Sequence, residues 1–322
     1  MSTQLAADDT LASTDTETRG AAVSAGRTRA GRNFGRGSGS NPRNNRETSL
    51  TSRLVVTIVL GCFAVYFLVP IWWLLVAASK PMGEQFSSPG FWFNGMHLGS
   101  NVAELLSSRD GIFMRWILNS IFYAGVGAIV ATLLASMAGY ALAKYSFRGR
   151  EVVFGVVLAA VLIPKILFTL PLYLMFSEVG LINNPLAVIL PSIVSPFGVY
   201  LSRVFAAQSV PDEVIEAARI DGLGEVGIYF RIGLRMMMPA LVTIFLFNFV
   251  EIWNNYLLPA MVINDSSLQP VTVGLVSWFA SNGKVPMALV VIGALVSIIP
   301  LLLLFLFLQR FWKAGLTAGA LK

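Results

Sequence analysis

Six apolar segments alternate with polar stretches along this chain. They run over about residues 54–78, 116–143, 152–176, 185–206, 240–263 and 287–308. Each supplies the roughly 20 residues that a membrane-spanning helix needs. Several contain proline: Pro70 in the first, Pro164 and Pro171 in the third, Pro191 and Pro196 in the fourth, Pro300 in the sixth. A proline frees a backbone carbonyl that only neighbouring helices or water can then satisfy. The pattern therefore predicts bent helices packed in a bundle, an all-α integral membrane protein.

One polar island breaks the apolar run, residues 209–239, SVPDEVIEAARIDGLGEVGIYFRIGLRMMMP. Ser209, Pro211 and Asp212 read as a helix start. Val214, Ile215, Ala218 and the stem of Arg219 make a short apolar face. Asp221-Gly222 ends that helix, because glycine accepts left-handed backbone angles. Val226, Tyr229, Phe230, Gly233, Leu234 and Met237 then follow at i, i+3, i+4, i+7, i+8 and i+11, the spacing of a second amphipathic helix. On pattern alone, this is a folded loop resting on the membrane surface.

Composition sharpens the picture. The 322 residues are 56% hydrophobic and 12% charged, with mean hydropathy +0.71, more apolar surface than a soluble domain of this size can bury. The net charge of +6 hides an uneven start, mildly acidic at Asp8, Asp9, Asp15 and Glu17 and then basic, where Arg19, Arg27, Arg29, Arg32, Arg36, Arg43, Arg46 and Arg53 lie among Ser, Thr, Gly, Asn and Ala. Residues 1–50 have too few apolar side chains for a core and are expected to be a disordered, Arg-rich cytoplasmic tail drawn to anionic lipid. Phe34 is the only aromatic residue in it, so the tail does not read as a nucleic-acid binder. The first apolar run starts too late and is too long for a cleaved signal peptide, and is expected to stay as an anchor. Residues 51–322 form the membrane domain.

Positive charge in the loops sets an expected orientation. With a cytoplasmic N-terminus, the inside carries Lys144, Arg148, Arg150, Arg203, Arg219, Arg231, Arg235, Arg310, Lys313 and Lys322. The outside carries Lys80, Arg109, Arg115 and Lys284. Both termini and the island then face the cytoplasm of a multi-pass cell-membrane protein. Outside, residues 79–115 and 264–286 carry Phe86, Phe91, Trp92, Phe93, Trp278 and Phe279. These suit anchoring at the membrane interface, or contact with an external binding protein.

Catalytic chemistry is missing from the sequence. Cys62 stands alone in an apolar run, and His97 has no Cys or His neighbour to share a metal. Gly283-Lys284 is followed by Val285, so no phosphate-binding glycine loop is present. Nucleophile–base pairs are absent as well, which argues against an enzyme.

Glu216-Ala217-Ala218, Asp221-Gly222, then Phe230, Ile232, Leu234 and Pro239 resemble the EAA loop of ABC importer permeases. The likeness extends over Asn119-Ser120, Tyr140-Ala141-Leu142-Ala143, Ile163-Pro164, Pro171-Leu172-Tyr173, Gly180-Leu181, Leu190-Pro191, Trp253-Asn254 and Leu258-Pro259. It includes the C-terminal Gln309-Arg310-Phe311 and Gly315-Leu316-Thr317-Ala318-Gly319-Ala320. From about residue 54 to the end, the chain is similar to the smaller permease subunit of the carbohydrate-uptake, maltose-type branch. Gly233 and Arg235 depart from the family, which usually has a valine-like residue and a proline there.

This resemblance implies a six-helix type I ABC importer permease fold with a cytoplasmic EAA helix-turn-helix. It implies that Glu216, Ala217, Ala218, Asp221 and Gly222 dock onto an ATPase subunit dimer, with Glu216 making a polar contact and Gly222 allowing the turn. For Glu216 the plain alternative is an i,i+3 pair with Arg219. The implied partners are the ATPase dimer, a second permease, an extracellular or lipid-anchored sugar-binding protein, and membrane lipid. ATP and Mg would sit on the ATPase, with no cofactor on this chain. In maltose-type systems the C-terminal tail also reaches the ATPase dimer.

Asn248, Glu251 and Asn255 recur at i, i+3 and i+7 in the fifth apolar segment, and Lys165 lies within the third. Charges at membrane depth mark a solute path or a pair. Lys165 and Glu251 are therefore expected to be partners, or else to point into separate water-filled cavities. The leading function is import of sugars or oligosaccharides. Glycerol phosphate or polyol import by the same superfamily is an alternative, and ion-coupled secondary transport a third.

Overall fold

In the computed structural model, the backbone is described over residues 50–319 and the side chains over residues 52–311. The Arg-rich tail lies outside the described residues, as do the side chains of the C-terminal segment from residue 312 onward. From residue 57 on, the described residues form one compact unit.

Among the described residues every regular element is helical. The helices are α1 (Leu50–Ser79), α2 (Leu98–Ser107), α3 (Ile112–Lys144), α4 (Arg150–Leu162), α5 (Thr169–Glu178), α6 (Leu186–Ser192) and α7 (Pro196–Ser209). They continue as α8 (Asp212–Ile220), α9 (Glu225–Ile228), α10 (Leu234–Met236), α11 (Met238–Trp253), α12 (Leu257–Val262), α13 (Val271–Phe279) and α14 (Met287–Gly319). Four helices are long and apolar enough to cross a membrane, or six if each of two bent pairs counts as one span. One bent pair is Arg150–Leu162 with Lys165–Glu178, meeting at 92°. The other is Glu225–Met236 with Met238–Trp253, meeting at 81°.

At the centre stands α3, packed most extensively against α7 and α11. Its buried positions include Ala124, Gly127, Ala128, Ala131, Ala135 and Gly139. Such small residues let backbones approach closely where no hydrophobic effect drives helices together. At Gly139 the approach is tightest: a Cβ there would lie 2.3 Å from Ser202 Cβ and 2.7 Å from the Arg203 backbone nitrogen.

Three apolar clusters hold the bundle. One joins Phe113, Trp116, Phe249, Trp253, Trp278 and Ile292 at the Ile112 end of α3. A second joins Tyr123, Phe176, Val188, Leu258 and Val262. The third lies at the Lys144 end, where Tyr140, Ala206, Ile215, Ile228, Tyr229 and Met237 pack together beneath the island. Asn119-Ser120 ties α3 to the loop that follows α12. Asn119 Nδ2 donates to the carbonyls of Ser267 (2.9 Å) and Gln269 (3.0 Å), and Ser120 Oγ accepts from Val271 N–H (2.8 Å). The buried amine of Lys80 is satisfied without a carboxylate, donating to the carbonyls of Pro89 (2.9 Å) and Ser88 (3.3 Å).

Three expectations are corrected. Ser209 ends α7 and caps nothing; Pro211 stands at the cap position and α8 begins at Asp212. The fifth apolar segment is not one helix: α11 stops at Trp253, and Asn254-Asn255-Tyr256 leads to the short α12. In the second island helix, Val226 and Phe230 are exposed, while Ile228 is fully buried. The cause is a π-turn at Tyr229–Gly233. A π-turn holds one more residue than an α-turn, so a face read at the 3.6 period slips by a position.

Candidate functional site

Two regions carry polar groups that the bundle does not need for its own packing. The first is the island. α8 buries Ile215 and Ala218 and turns Glu216, Ala217 and Ile220 outward. Asp212 and Glu213 occupy its first turn and Arg219 its last, which suits the helix dipole at both ends. It closes in a Schellman motif: Leu223 N–H donates to the Ala218 carbonyl and Gly222 N–H to the Arg219 carbonyl, both at 3.0 Å. Gly222 takes φ +82° there, so the glycine expected at the turn has its backbone reason.

Three polar ties hold the island to the end of α3. Lys144 Nζ pairs with Asp212 at 2.8 Å. Tyr229 hydroxyl and Ser136 Oγ are 2.6 Å apart. Arg219 Nε donates to Glu225 at 2.7 Å, and the Tyr145 hydroxyl shares that carboxylate. Arg219 holds the Glu225 carboxyl below its ordinary range, while that carboxylate raises the guanidinium of Arg219. Burial, then the hydrogen bond to Glu225, pushes the Tyr145 phenol up to about 12, so it stays a neutral donor.

The partner of Arg219 is therefore Glu225, and the i,i+3 alternative for Glu216 does not form. Glu216 makes no hydrogen bond or ion pair among the described residues. Beside it, Ile220 is 87% and Val226 73% exposed. These two apolar side chains flank the turn; the sequence pattern leaves Ile220 unmarked and reads Val226 as inward-facing. Ala218, named with the docking segment, is buried and supports the surface from beneath. Gly233, a departure from the family pattern, also finds its reason: a Cβ there would lie 2.8 Å from the Tyr140 ring. Arg235, the other departure, is exposed and helical.

The second region is a cavity of about 800 Å³ walled by α4, the turn Lys165–Phe168, α5, α6, α7 and α11. Lys165, Asn248, Glu251 and Asn255 all line it, so the structure brings together the four residues singled out in the third and fifth segments. Lys165 Nζ and Glu251 Oε1 form an ion pair. Asn248 is mostly structural: buried, it accepts from Ser195 Oγ (2.7 Å) and donates to Thr132 Oγ1 (3.3 Å). Asn255 lies beyond the end of α11, half-buried, and its carbonyl accepts from Thr272 Oγ1 at 3.1 Å. Asn254, Tyr256, Phe168 and Thr169 also line it. The walls are predominantly apolar, with amides and one cancelled charge pair among them. Such a surface suits a polyhydroxylated solute with apolar ring faces.

Comparison with known proteins follows from this geometry. The family described as binding-protein-dependent transport system inner membrane component matches residues 131–316. The arabinooligosaccharides transport system permease protein AraQ of Halalkalibacterium halodurans is 33% identical over 86% of this chain and 99% of its own. The melibiose/raffinose/stachyose import permease protein MelC of Bacillus subtilis is 29% identical, again over 86% and 99%. The lactose transport system permease protein LacG of Rhizobium radiobacter is 30% identical over 84% and 97%. Among solved structures, a chain of a bacterial ABC transporter that imports the acidic polysaccharide alginate superposes with TM-score 0.68 at 22% identity. That match covers 82% of this chain and 98% of the other. The likeness is one of fold.

Proposed function

Since the chain belongs to the family of binding-protein-dependent transport inner membrane components, and is thereby a multi-pass transport subunit and not an enzyme, we propose that it imports sugars or oligosaccharides. The observation that carries this is the agreement of three relatives matched over nearly their whole lengths, each a permease for sugars by its name. The cavity supports it: its two charged lining residues, Lys165 and Glu251, cancel. A free cation for a phosphate-bearing solute is thus lacking there, which disfavours the glycerol phosphate reading.

Energy comes from an ATPase dimer that docks onto the island. Support lies in Glu216, exposed and without a partner among the described residues, and in the apolar Ile220 and Val226 beside it. An acidic group flanked by exposed apolar side chains is the make-up of a docking knob. ATPase closure would push the island, and its ties to Lys144, Ser136 and Tyr145 would pass that push to α3. ATP and Mg stay on the ATPase. A second permease completes the pore, a sugar-binding protein delivers solute outside, and both termini and the island lie in the cytoplasm. Residues 1–50 form a lipid-attracted tail ahead of the membrane domain, 51–322.

Uptake of labelled arabinooligosaccharides, raffinose and lactose by cells with and without this chain tests the reading. Loss of uptake of at least one of these on deletion is expected. Collapsing the proton gradient at constant ATP is expected to leave that uptake intact; its abolition would instead establish ion-coupled transport.

A further inference from the structure

The third and fifth spans are both interrupted, and the interruptions meet. α4 ends at Leu162, Pro164 follows, and Lys165 opens the short turn from which α5 departs at 92°. α11 ends at Trp253, two residues beyond Glu251, and Asn254-Asn255 carries the chain into α12. From Arg150 to Lys165, and from Met238 to Glu251, the helical rise is roughly 20 Å. The two charges thus stand at matching depth, well inside a hydrocarbon core of about 30 Å. Their ion pair is the ionic link between the two breaks among the described residues.

The two sides of the pair are held very differently. One turn before Glu251, Asn248 is buried and bonded to Ser195 and Thr132, and Ile252 and Trp253 are buried just after it. Glu251 therefore sits on a fixed post. From Arg150 to Phe168, by contrast, α4 and its turn bury no residue in this chain. They are tied at their start, where Glu151 pairs with Arg203 (2.7 Å) and the Arg203 guanidinium lies 3.7 Å above the Phe154 ring. Lys165 stands in the turn between that tie and Thr169, the next buried residue, at the head of α5. Its side chain is 60% exposed and that of Glu251 50%, both toward the cavity. With the cavity filled by water, the pair can separate into two hydrated ions without stranding a bare charge in hydrocarbon.

We propose that the Lys165–Glu251 ion pair is a gate latch: closed, it holds the break of the third span against the fifth, and it opens once in each transport cycle. This rests on the reading of the chain as a solute-conducting permease. The fixed post, the unburied stretch between two ties and the cavity-facing pair at the breaks are what a reversible closure requires.

The test uses the complete transporter with its ATPase, second permease and binding protein in vesicles. Cys62 is exposed, so the background is Cys62→Ser. Lys165→Cys and Glu251→Cys are combined there and bridged with a short, reducible bis-methanethiosulfonate. Cross-linking is expected to lower uptake at least tenfold below that of either single-cysteine variant treated with the same reagent, and reduction to restore it. Full uptake by the bridged transporter would overturn the latch, as would failure of the resting transporter to cross-link. If the double variant is inactive before treatment, the charge exchange Lys165→Glu with Glu251→Lys decides. Uptake at least tenfold above Lys165→Glu alone is expected, and no gain over the single variant would overturn the proposal. Sugar uptake by the untreated Cys62→Ser transporter is measured first. Should it move a different solute, that solute becomes the readout; the sugar reading then fails while the latch is still decided.

Discussion

Glu216 is an exposed carboxylate on a helix where Asp212 pairs with Lys144 and Arg219 with Glu225, while Glu213 in the first turn, like Glu216, has no partner among the described residues. Glu216→Lys should therefore leave folding and membrane abundance unchanged while removing a contact to another protein. A charge-assisted hydrogen bond is worth roughly 1.5–3 kcal/mol, or about ten- to a hundredfold in affinity. Uptake should fall and the ATPase should no longer co-purify with the permease. Normal uptake with full ATPase recovery would exclude Glu216 from the interface. Glu225 behaves differently, because its partner lies in its own chain. Its carboxyl is held below the ordinary value by Arg219, so the folded state favours the ionised form. That contribution is complete above the unfolded value, roughly 4.3, and is lost as pH falls through the lowered folded value. Glu225→Gln should accordingly unfold at a lower temperature than the unaltered chain at neutral pH. The difference should shrink once the buffer is below the unfolded value and vanish only below the lowered folded value. A gap between the two melting curves that survives acidification would show that Arg219 is not its source.

At the scale of elements, the packing of α3 on α7 depends on a glycine that the apolar pattern does not mark. Gly139→Ala places a methyl group against Ser202 Cβ and the Arg203 backbone. A backbone atom cannot swing aside as a side chain can, so α7 must move. Overpacking of this kind costs about 1–3 kcal/mol. Gly125→Ala in the same helix is the control: open space surrounds its Cβ position, and the better helix former should be neutral or stabilising by up to roughly 1 kcal/mol. Thermal unfolding of the detergent-solubilised protein compares the two, and equal midpoints would mean that the α3–α7 contact is looser than drawn here. What could be read from the sequence at this scale had physical limits. Apolar length located all six segments, and Asp221-Gly222 located the island turn, because glycine chemistry is local. Pro164 announced a break in the third span, yet the 92° angle is set by packing between distant segments. The π-turn at Tyr229–Gly233 left no local mark, so Val226 was assigned inward and Ile228 was overlooked. Likewise α2 and α13, within residues 79–115 and 264–286, pack on α14, a contact between distant segments that no local pattern marks. In the cavity, Lys165 and Glu251 could be paired from the cost of burying charge, whereas the engagement of Asn248 with Ser195 and Thr132 needed three helices in register.

At the scale of the whole molecule, what remains to be measured is which way the bundle faces. The residues of α1 from 57 to 72 are exposed apart from its C-terminal end, and its apolar window has no buried share in this chain. A helix of that hydropathy requires lipid or another subunit around it. The bundle's two ends then differ in charge. The Lys144 end bears Lys144, Arg148, Arg150, Arg203, Arg219, Arg231 and Arg235, and the opposite end bears Lys80, Arg109, Arg115 and Lys284. Excess positive charge stays on the cytoplasmic side, so the island should be inside. Single cysteines on a Cys62→Ser background settle this at exposed sites that carry no packing: Ile220→Cys on the island, and Trp92→Cys and Phe279→Cys at the other end. In intact cells a membrane-impermeant maleimide should modify positions 92 and 279 and spare 220. After the membrane is opened, position 220 should react as fast as the others. When the ATPase is present, it should be shielded again, because Ile220 stands one turn from Glu216 on the same docking face. Labelling of position 220 from outside would invert the bundle, and with it the island would have no ATP-driven partner to meet. Labelling from inside that the ATPase does not slow would keep the orientation but move the docking surface elsewhere on that side.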